Sequence, residues 1–541
     1  MTAQEFDYIV IGAGSAGCVL ADRLSADGTA TVLVLEAGEH DRRLWIKMPI
    51  GYGKTFYDER VNWKFESQPE AQLHGRRIYV PRGRVLGGSS SINAMVYCRG
   101  LPGDFDDWAA VGNPGWAWND VQPVYQRFER PVDADGVAGP GGALFVSDVR
   151  RQMHPMERHF FAAAQQAGLP FSEDFNGPQP EGVGRYRINT RRGMRWSAAD
   201  AFLRPALRRA GVLLHTGALA QKVLFEGRRA VGVSYAMGGA THTARARRAV
   251  VLSAGAIQSP QLLQLSGVGP AALLQQHGIA VVLAQEQVGA NLQDHLAMSY
   301  YYKATEPTLN NQLSSWWGKL RVGLQYVSTL RGPLSISVNQ CGGFVRSDPT
   351  QPRADMQLYC NPITYTLAAS KTGTQIVPDA FAGFILCFQP CRPLSRGRVG
   401  IQSARAQDAP RIEPNYLTHP QDIAQALRGA RLVQRLGQTA AMRGLIQAPI
   451  APSLDTMDDD AMVDDFRARA STCYHPVGSC AMGPDAGTSV VDSRLKVHGL
   501  DNLYVVDASV FPSVTSGNTH APTTMVAHKG ADAILQAHKT S

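Results

Sequence analysis

The chain has 541 residues and a formal net charge of +8. That length exceeds one ordinary core and predicts two domains, and the apolar and charged content is that of a folded globular protein rather than a disordered one. The basic residues are scattered, and the densest groups, Arg204–Arg209 and Arg245–Arg248, flank predicted helices and strands as solvated faces, which argues against nucleic-acid binding and leaves at most peripheral attraction to an anionic membrane.

The first element is a short apolar strand, Phe6–Ile11. It runs into Gly12-Ala13-Gly14-Ser15-Ala16-Gly17, then a helical stretch from Cys18 to Leu24, then a second strand, Thr31–Leu35, ending on Glu36 and Ala37. This is a βαβ unit with a glycine fingerprint at its turn and an acid at the end of the second strand. Gly12 permits the tight turn, Gly14 lets backbone approach a pyrophosphate, and Gly17 lets helix and strand pack closely. The helix N-terminus offers unpaired N–H groups to phosphates. Glu36 is placed to accept from ribose hydroxyls and would repel a 2′-phosphate. A turn without cofactor significance is the bland alternative; strand, helix and acid together argue against it. The pattern does not choose between FAD and NAD. Its position near Met1 leaves no room for a signal peptide, and no apolar run is long enough to span a bilayer, so a cytoplasmic location is expected.

Residues 38–107 are long, irregular and rich in Gly, Pro and Arg, which in a compact protein predicts a functional loop. Its centre, Pro81 to Ala94, holds two adjacent glycines and three serines before Met95, Val96 and Tyr97. It reads either as a second ligand-facing loop or as an ordinary turn and cap. Residues 105–130 read as helical. Lys222–Phe225 and Ala230–Tyr235 read as a hairpin about Glu226–Arg229, and Ala249–Leu252 as a buried strand entering Ser253-Ala254-Gly255 and a helix whose first position is Pro260. Alternating apolar and aromatic stretches over 300–450, such as Phe381–Phe388, predict an antiparallel sheet. A helix over Met457–Ala470, a strand over Leu503–Val506 and a closing helix over Thr523–Leu535 complete the chain. The eight cysteines include no CxxC pair, so reduced buried thiols and no metal site are expected.

Taken together, these pieces resemble the glucose–methanol–choline family of flavin oxidoreductases. The matching text is Gly12–Gly17, Gly83–Asn93, Gly255–Pro260 running to Gly269, Val288–His295, Tyr474–Gly483, Val506–Ser509 and Gly517–Thr523, in family order along the chain. Within the family the chain is most similar to bacterial choline dehydrogenases and aliphatic alcohol dehydrogenases. The resemblance implies an α/β Rossmann-like FAD domain, built from 1–155, 205–300 and 465–541, and an α+β substrate domain from 156–204 and 301–464. It implies FAD along Arg84, Gly87, Gly88, Ser89, Asn93, Ala94, Met95 and Val96, near Val223, and against Ala254, Asp507, Ala508 and Thr519. Some members tether FAD through a histidine at the position of Ile92; the hydrocarbon there implies noncovalent FAD.

The implied reaction oxidises a primary alcohol to its aldehyde, with hydride passing to flavin N5 and electrons then to a quinone or another acceptor. The hydroxyl is too weak an acid to ionise alone, and an imidazole near working pH suits the base. The resemblance assigns this to His475, with Asn518 as hydrogen-bonding partner. His520, Cys473 and Tyr474 are further pocket candidates; His295 and His498 read as structural. Choline-active members carry a Glu before a Gly pair, where this chain has Gln340, which favours an uncharged alcohol. Trp316, Trp317, Tyr359, Tyr365 and Phe388 read as pocket or ordinary core. Choline oxidation, an oxygen-using oxidase, a noncatalytic flavoprotein and a flavin photoenzyme are the alternatives.

Overall fold

The computed structural model describes residues 4–370, 373–450 and 452–539. Strand Gln4–Ile11 pairs in parallel with Val32–Leu35 on one side and Ala240–Leu252 on the other. Val212–His215 extends the sheet beyond Val32–Leu35, and Leu503–Val505 joins Ala240–Leu252. Tyr8–Ile11 and Val32–Leu35 are buried throughout, as parallel strands covered on both faces must be. The helices Ser15–Leu24 and His520–Ala537 share one core with these strands.

The hairpin comprises Leu219–Glu226 and Arg229–Met237, turning through Gly227 at φ +60°. Ala240–Leu252 is longer than the four-residue strand its apolar run predicts. Its first half pairs antiparallel with the hairpin and keeps one face in solvent, so that half is not uniformly apolar. The predicted helix over 105–130 is two helices, Pro102–Ala110 and Trp118–Phe128. Gly112 and Gly115 between them adopt φ +97° and +82°, which no helix accommodates.

Pro260 is not at a first helical position. The helix spans Gly255–Leu265 and Pro260 lies inside it. A proline there leaves the carbonyl four residues earlier without its N–H. That carbonyl, on Ala256, instead accepts from the Ser479 hydroxyl. Asp507 holds the start, accepting from Gly255 N at 2.8 Å and Ser259 Oγ at 2.5 Å. Partners more than two hundred residues away thus set the helix start.

The second sheet runs in the order Ile446–Ile450, Leu296–Ala304, Gly383–Pro390, Met356–Asn361, Cys341–Val345, Gly182–Arg185, all antiparallel. Ser471–Thr472 pairs with the first residues of Leu296–Ala304. Helix Pro420–Gly437 packs on this sheet, with Gly429 against the Phe388 ring, where a Cβ would sit 2.3 Å from ring carbons. Phe388 is therefore core, while Trp316 and Trp317 are 65% and 73% exposed and belong to neither core nor pocket. Ala198–Ala206 packs with the first sheet, and Leu296–Tyr300 with the second.

Candidate active site

A cavity of about 1200 Å³ runs between the two sheets. Typical small-ligand pockets measure about 300–1,000 Å³, so this one accommodates a dinucleotide together with a second molecule.

One half is made of backbone. Gly12 sits at φ +99°, and a Cβ on it would come within 2.5 Å of Ser253 O. A Cβ on Gly88 would come within 2.7 Å of Gly14 Cα, so the two glycine loops touch. Gly14 caps the helix Ser15–Leu24 without any side-chain bond, and Gly14, Ser15 and Ala16 line the cavity. Such an uncapped end fits a pyrophosphate. Glu36 accepts from Ala13 N and Gly38 N at 2.8 Å each, which ties the first loop to the end of the second strand. Burial pushes its carboxyl up to about 7, against the pull of those two N–H groups. The size, the glycine cradle and the open helix end fit FAD.

Of the residues expected at the cofactor, Gly12, Gly14, Ser15, Ala16, Glu36, Ala37, Gly88, Ser89, Asn93, Ala94, Met95, Val96, Ala254, Asp507, Ala508 and Thr519 line the cavity. Gly17, Arg84, Gly87 and Val223 do not. Gly17 packs under the turn, where a Cβ would meet Gly12 O at 1.8 Å. Arg84 is exposed, its guanidinium 4.9 Å from the Trp63 ring centre. Gly87 donates to Ala13 O at 2.8 Å and shapes the loop from behind. Val223 is buried in the hairpin, and Ala218, Leu219 and Ala220 of the same strand region reach the cavity instead.

The other half is made of side chains. Gln293–Leu296 and Thr472–Val477 run antiparallel, with Leu296 opposite Thr472 and Gln293 opposite Val477. The register slips between these pairs, at Tyr474, which holds φ +71°. A bulge of this kind re-aims the next side chain. Tyr474 N donates to Thr472 Oγ1 at 2.7 Å and Tyr474 O accepts from Arg82 Nη2 at 2.7 Å, which fixes the unusual backbone. Asp294 lies beneath. Its Oδ1 accepts from His295 N at 2.9 Å and His475 N at 2.7 Å, and its Oδ2 from Tyr416 at 2.7 Å and from Thr472.

The His475 ring then faces two partners. Its Nδ1 lies 3.0 Å from His295 Nδ1, and its Nε2 lies 3.1 Å from Asn518 Nδ2. His295 Nε2 is 2.9 Å from Cys391 O. A carbonyl only accepts, so His295 carries its proton on Nε2 and, being neutral, presents a bare Nδ1. His475 must then donate from Nδ1, which leaves its Nε2 without a proton, its lone pair able to accept from Asn518 Nδ2. The other end agrees: the Tyr359 hydroxyl donates to Asn518 Oδ1 at 3.2 Å, which turns Nδ2 toward that lone pair. Burial holds His475 well below the ordinary imidazole range, with His295 and Arg82 adding to the effect. His295 is pushed down to about 4, chiefly by burial. Both rings are neutral near pH 7.

Cys473, Tyr474 and His520 line the cavity, and His520 Nδ1 lies 3.0 Å from Ser15 Oγ. Gln340 does not line it: its Oε1 accepts from His154 N at 2.7 Å, while its neighbour Asn339 faces the cavity. His295, read as structural, touches His475 directly. Tyr359 and Tyr365, read as pocket or core, line the cavity, whereas Asp294 and Arg82 escaped the sequence reading, although Asp294 and His295 close one of the matched motifs.

Models of the GMC oxidoreductase family match residues 6–297 and 393–527. An alcohol dehydrogenase [acceptor] of Pseudomonas putida is 41% identical over 536 residues, covering 98% of this chain and 96% of that one. An oxygen-dependent choline dehydrogenase of Photobacterium profundum is 40% identical over 536 residues, covering 98% and 93%. The crystal structure of pyridoxine 4-oxidase from Mesorbium loti superposes with a TM-score of 0.86 at 29% identity, covering 99% of both chains. Fold and site define an FAD-dependent oxidoreductase acting on CH–OH donors. The chain belongs to the GMC oxidoreductase family, whose reaction takes a small-molecule alcohol and an electron acceptor.

Proposed function

We propose that this enzyme oxidises an uncharged primary alcohol to the aldehyde, with His475 as the base, and passes the electrons to a quinone. The observation that carries the substrate reading is the charge of the cavity wall. Its only carboxylates among the described residues are Glu36 and Asp507, both bonded to backbone in the dinucleotide half, whereas Arg469 and Lys319 line the other half. A cationic alcohol would meet no counter-charge there. This supports the uncharged reading on grounds other than Gln340, which lies outside the cavity wall.

FAD, when bound, supplies the two-electron acceptor. The N–H groups of Gly14 to Ala16 would hold its phosphates, Glu36 its ribose, and Asn93 to Val96, Ala508 and Thr519 its remaining length. Ile92, also in the wall, presents only hydrocarbon, in keeping with noncovalent attachment. The alcohol hydroxyl would replace the Asn518 N–H at His475 Nε2, which then takes the hydroxyl proton, while the Asn518 amide donates to the alcohol oxygen. His295 is a positioning residue: by accepting from His475 Nδ1 it keeps the basic lone pair on the cavity side. Tyr474 and Arg82 hold the backbone that aims the ring.

Anaerobic flavin bleaching with hexanol and with choline tests this. Hexanol is expected to bleach at the lower concentration, and His475→Ala to slow bleaching while flavin stays bound. Preferential bleaching by choline would favour a second reading, choline oxidation, for which the lining rings of Tyr301, Tyr359 and Tyr365 supply cation–π faces.

A further inference from the structure

The helix Trp316–Thr329 is two-faced in an unusual sense. Val322 and Tyr326 are buried against the protein. Trp316, Trp317, Leu320, Leu324 and Val327 point the other way and are 65%, 73%, 41%, 63% and 80% exposed. Their spacing places all five on one outward stripe of the helix. Scattered exposed apolar residues are ordinary; a contiguous stripe of this kind marks an interaction surface.

What covers it is indicated by charge. Lys319 and Arg321 lie on either side of the stripe, and Arg331 follows the helix; all three are exposed, and none is ion-paired among the described residues. No Asp or Glu occurs between Glu306 and Asp348. Two copies meeting through this face would oppose like charges. An anionic lipid surface complements both features, since tryptophan rings favour the headgroup region and lysine and arginine reach from apolar surface to phosphate. No helix of the described residues is long and apolar enough to cross a membrane, so the contact is interfacial.

The stripe also adjoins the active-site opening. Lys319 and Leu367 line the cavity and are exposed, which puts them at its mouth, and Leu313 and Leu334 beside the helix line it too. We infer that the helix Trp316–Thr329 docks the enzyme on anionic bilayers by its Trp316–Val327 stripe, with the cavity mouth facing the lipid. On the proposed alcohol chemistry, an apolar alcohol or a lipid-dissolved quinone would then enter from the bilayer without crossing bulk water.

The test uses the FAD-loaded enzyme with phosphatidylcholine vesicles, with and without phosphatidylglycerol. Co-sedimentation is expected only with phosphatidylglycerol and should weaken as salt rises. The triple variant Trp317→Ser, Leu324→Ser, Val327→Ser changes no residue that lines the cavity, and Lys319→Glu with Arg321→Glu reverses the charge. Each set should lower vesicle affinity by at least about tenfold, since both burial and lipid charge are needed. Flavin content and bleaching by a short soluble alcohol, read on the triple variant, report the fold and the chemistry separately from docking. No binding to phosphatidylglycerol vesicles, binding unchanged in the triple variant, or a dimer in size-exclusion chromatography that the triple variant dissolves would each overturn the assignment.

Discussion

The two halves of the cavity are made by different means. The dinucleotide half is backbone: Gly12 and Gly88 work by lacking side chains, and the residues that form the first turn are consecutive. The other half is side chain: His295, Tyr359, His475 and Asn518 converge from four separate stretches, with the main-chain carbonyl of Cys391 behind His295. A backbone site tolerates no added bulk, whereas a side-chain site tolerates no change of chemistry.

The largest expected effect tests the second statement. His475→Ala should slow anaerobic flavin reduction about a hundred- to ten-thousandfold, the usual worth of a positioned base, while the flavin absorbance per chain stays at the wild-type level. Loss of flavin from this variant would show that the two halves are not separable. Gly88→Val tests the first statement. Gly88 sits at φ +53° with Gly14 Cα 2.7 Å from its Cβ position. Left-handed strain of about 1–3 kcal/mol plus that contact should reduce flavin retention by at least about tenfold, read as bound flavin after gel filtration.

A subtler cut is His295→Ala. It removes the acceptor of the His475 Nδ1 proton, and reduction should slow by about tenfold, the worth of one good hydrogen bond. Loss of the neighbouring ring also removes one of the influences that hold His475 below the ordinary range. The acid limb of the reduction rate should therefore move up in pH, a shift that mere loosening of the fold would not produce. If the limb stays put, His295 does not govern the protonation of His475.

The smallest effect concerns a histidine in neither half. His528 stacks on Phe128 with ring centres 5.0 Å apart, and burial pushes it down to about 3. In the unfolded chain it titrates near 6.5. Between those values the unfolded state binds the extra proton, so stability falls as pH drops, by up to about 1.4 kcal/mol per pH unit for one such group. His528→Phe should flatten the decline of Tm between pH 6.5 and 4, with reduction kinetics unchanged. An equally steep decline would place the acid sensitivity elsewhere, for example in His295 or His520.

The same contrast explains what was legible in the sequence. The glycine turn, its strands and Glu36 are neighbours in the chain, so their pattern can be read directly. His475 was reachable only through the resemblance, because a histidine before a proline carries no local sign of its function. His295 read as structural since its partner is 180 positions away. Gln340 was assigned to the pocket by its place beside Gly342 and Gly343, yet neighbours in extended chain face opposite ways, and Asn339 is the one that reaches the cavity. Pro260 marked a helix but not its start, since the start is held by Asp507 and the broken carbonyl bond is repaired by Ser479. Trp316 and Trp317 suggested interior because aromatic residues usually are; here they lie on the outward face of their helix.

One carboxylate oxygen serves both histidines. Oδ1 of Asp294 takes the main-chain N–H of both histidines, 2.9 Å from one and 2.7 Å from the other. The same carboxylate oxygen thus ties the main chains of both histidines to one point beneath their rings. A change at Asp294 would therefore reach both ends of the 3.0 Å contact between the imidazoles at once.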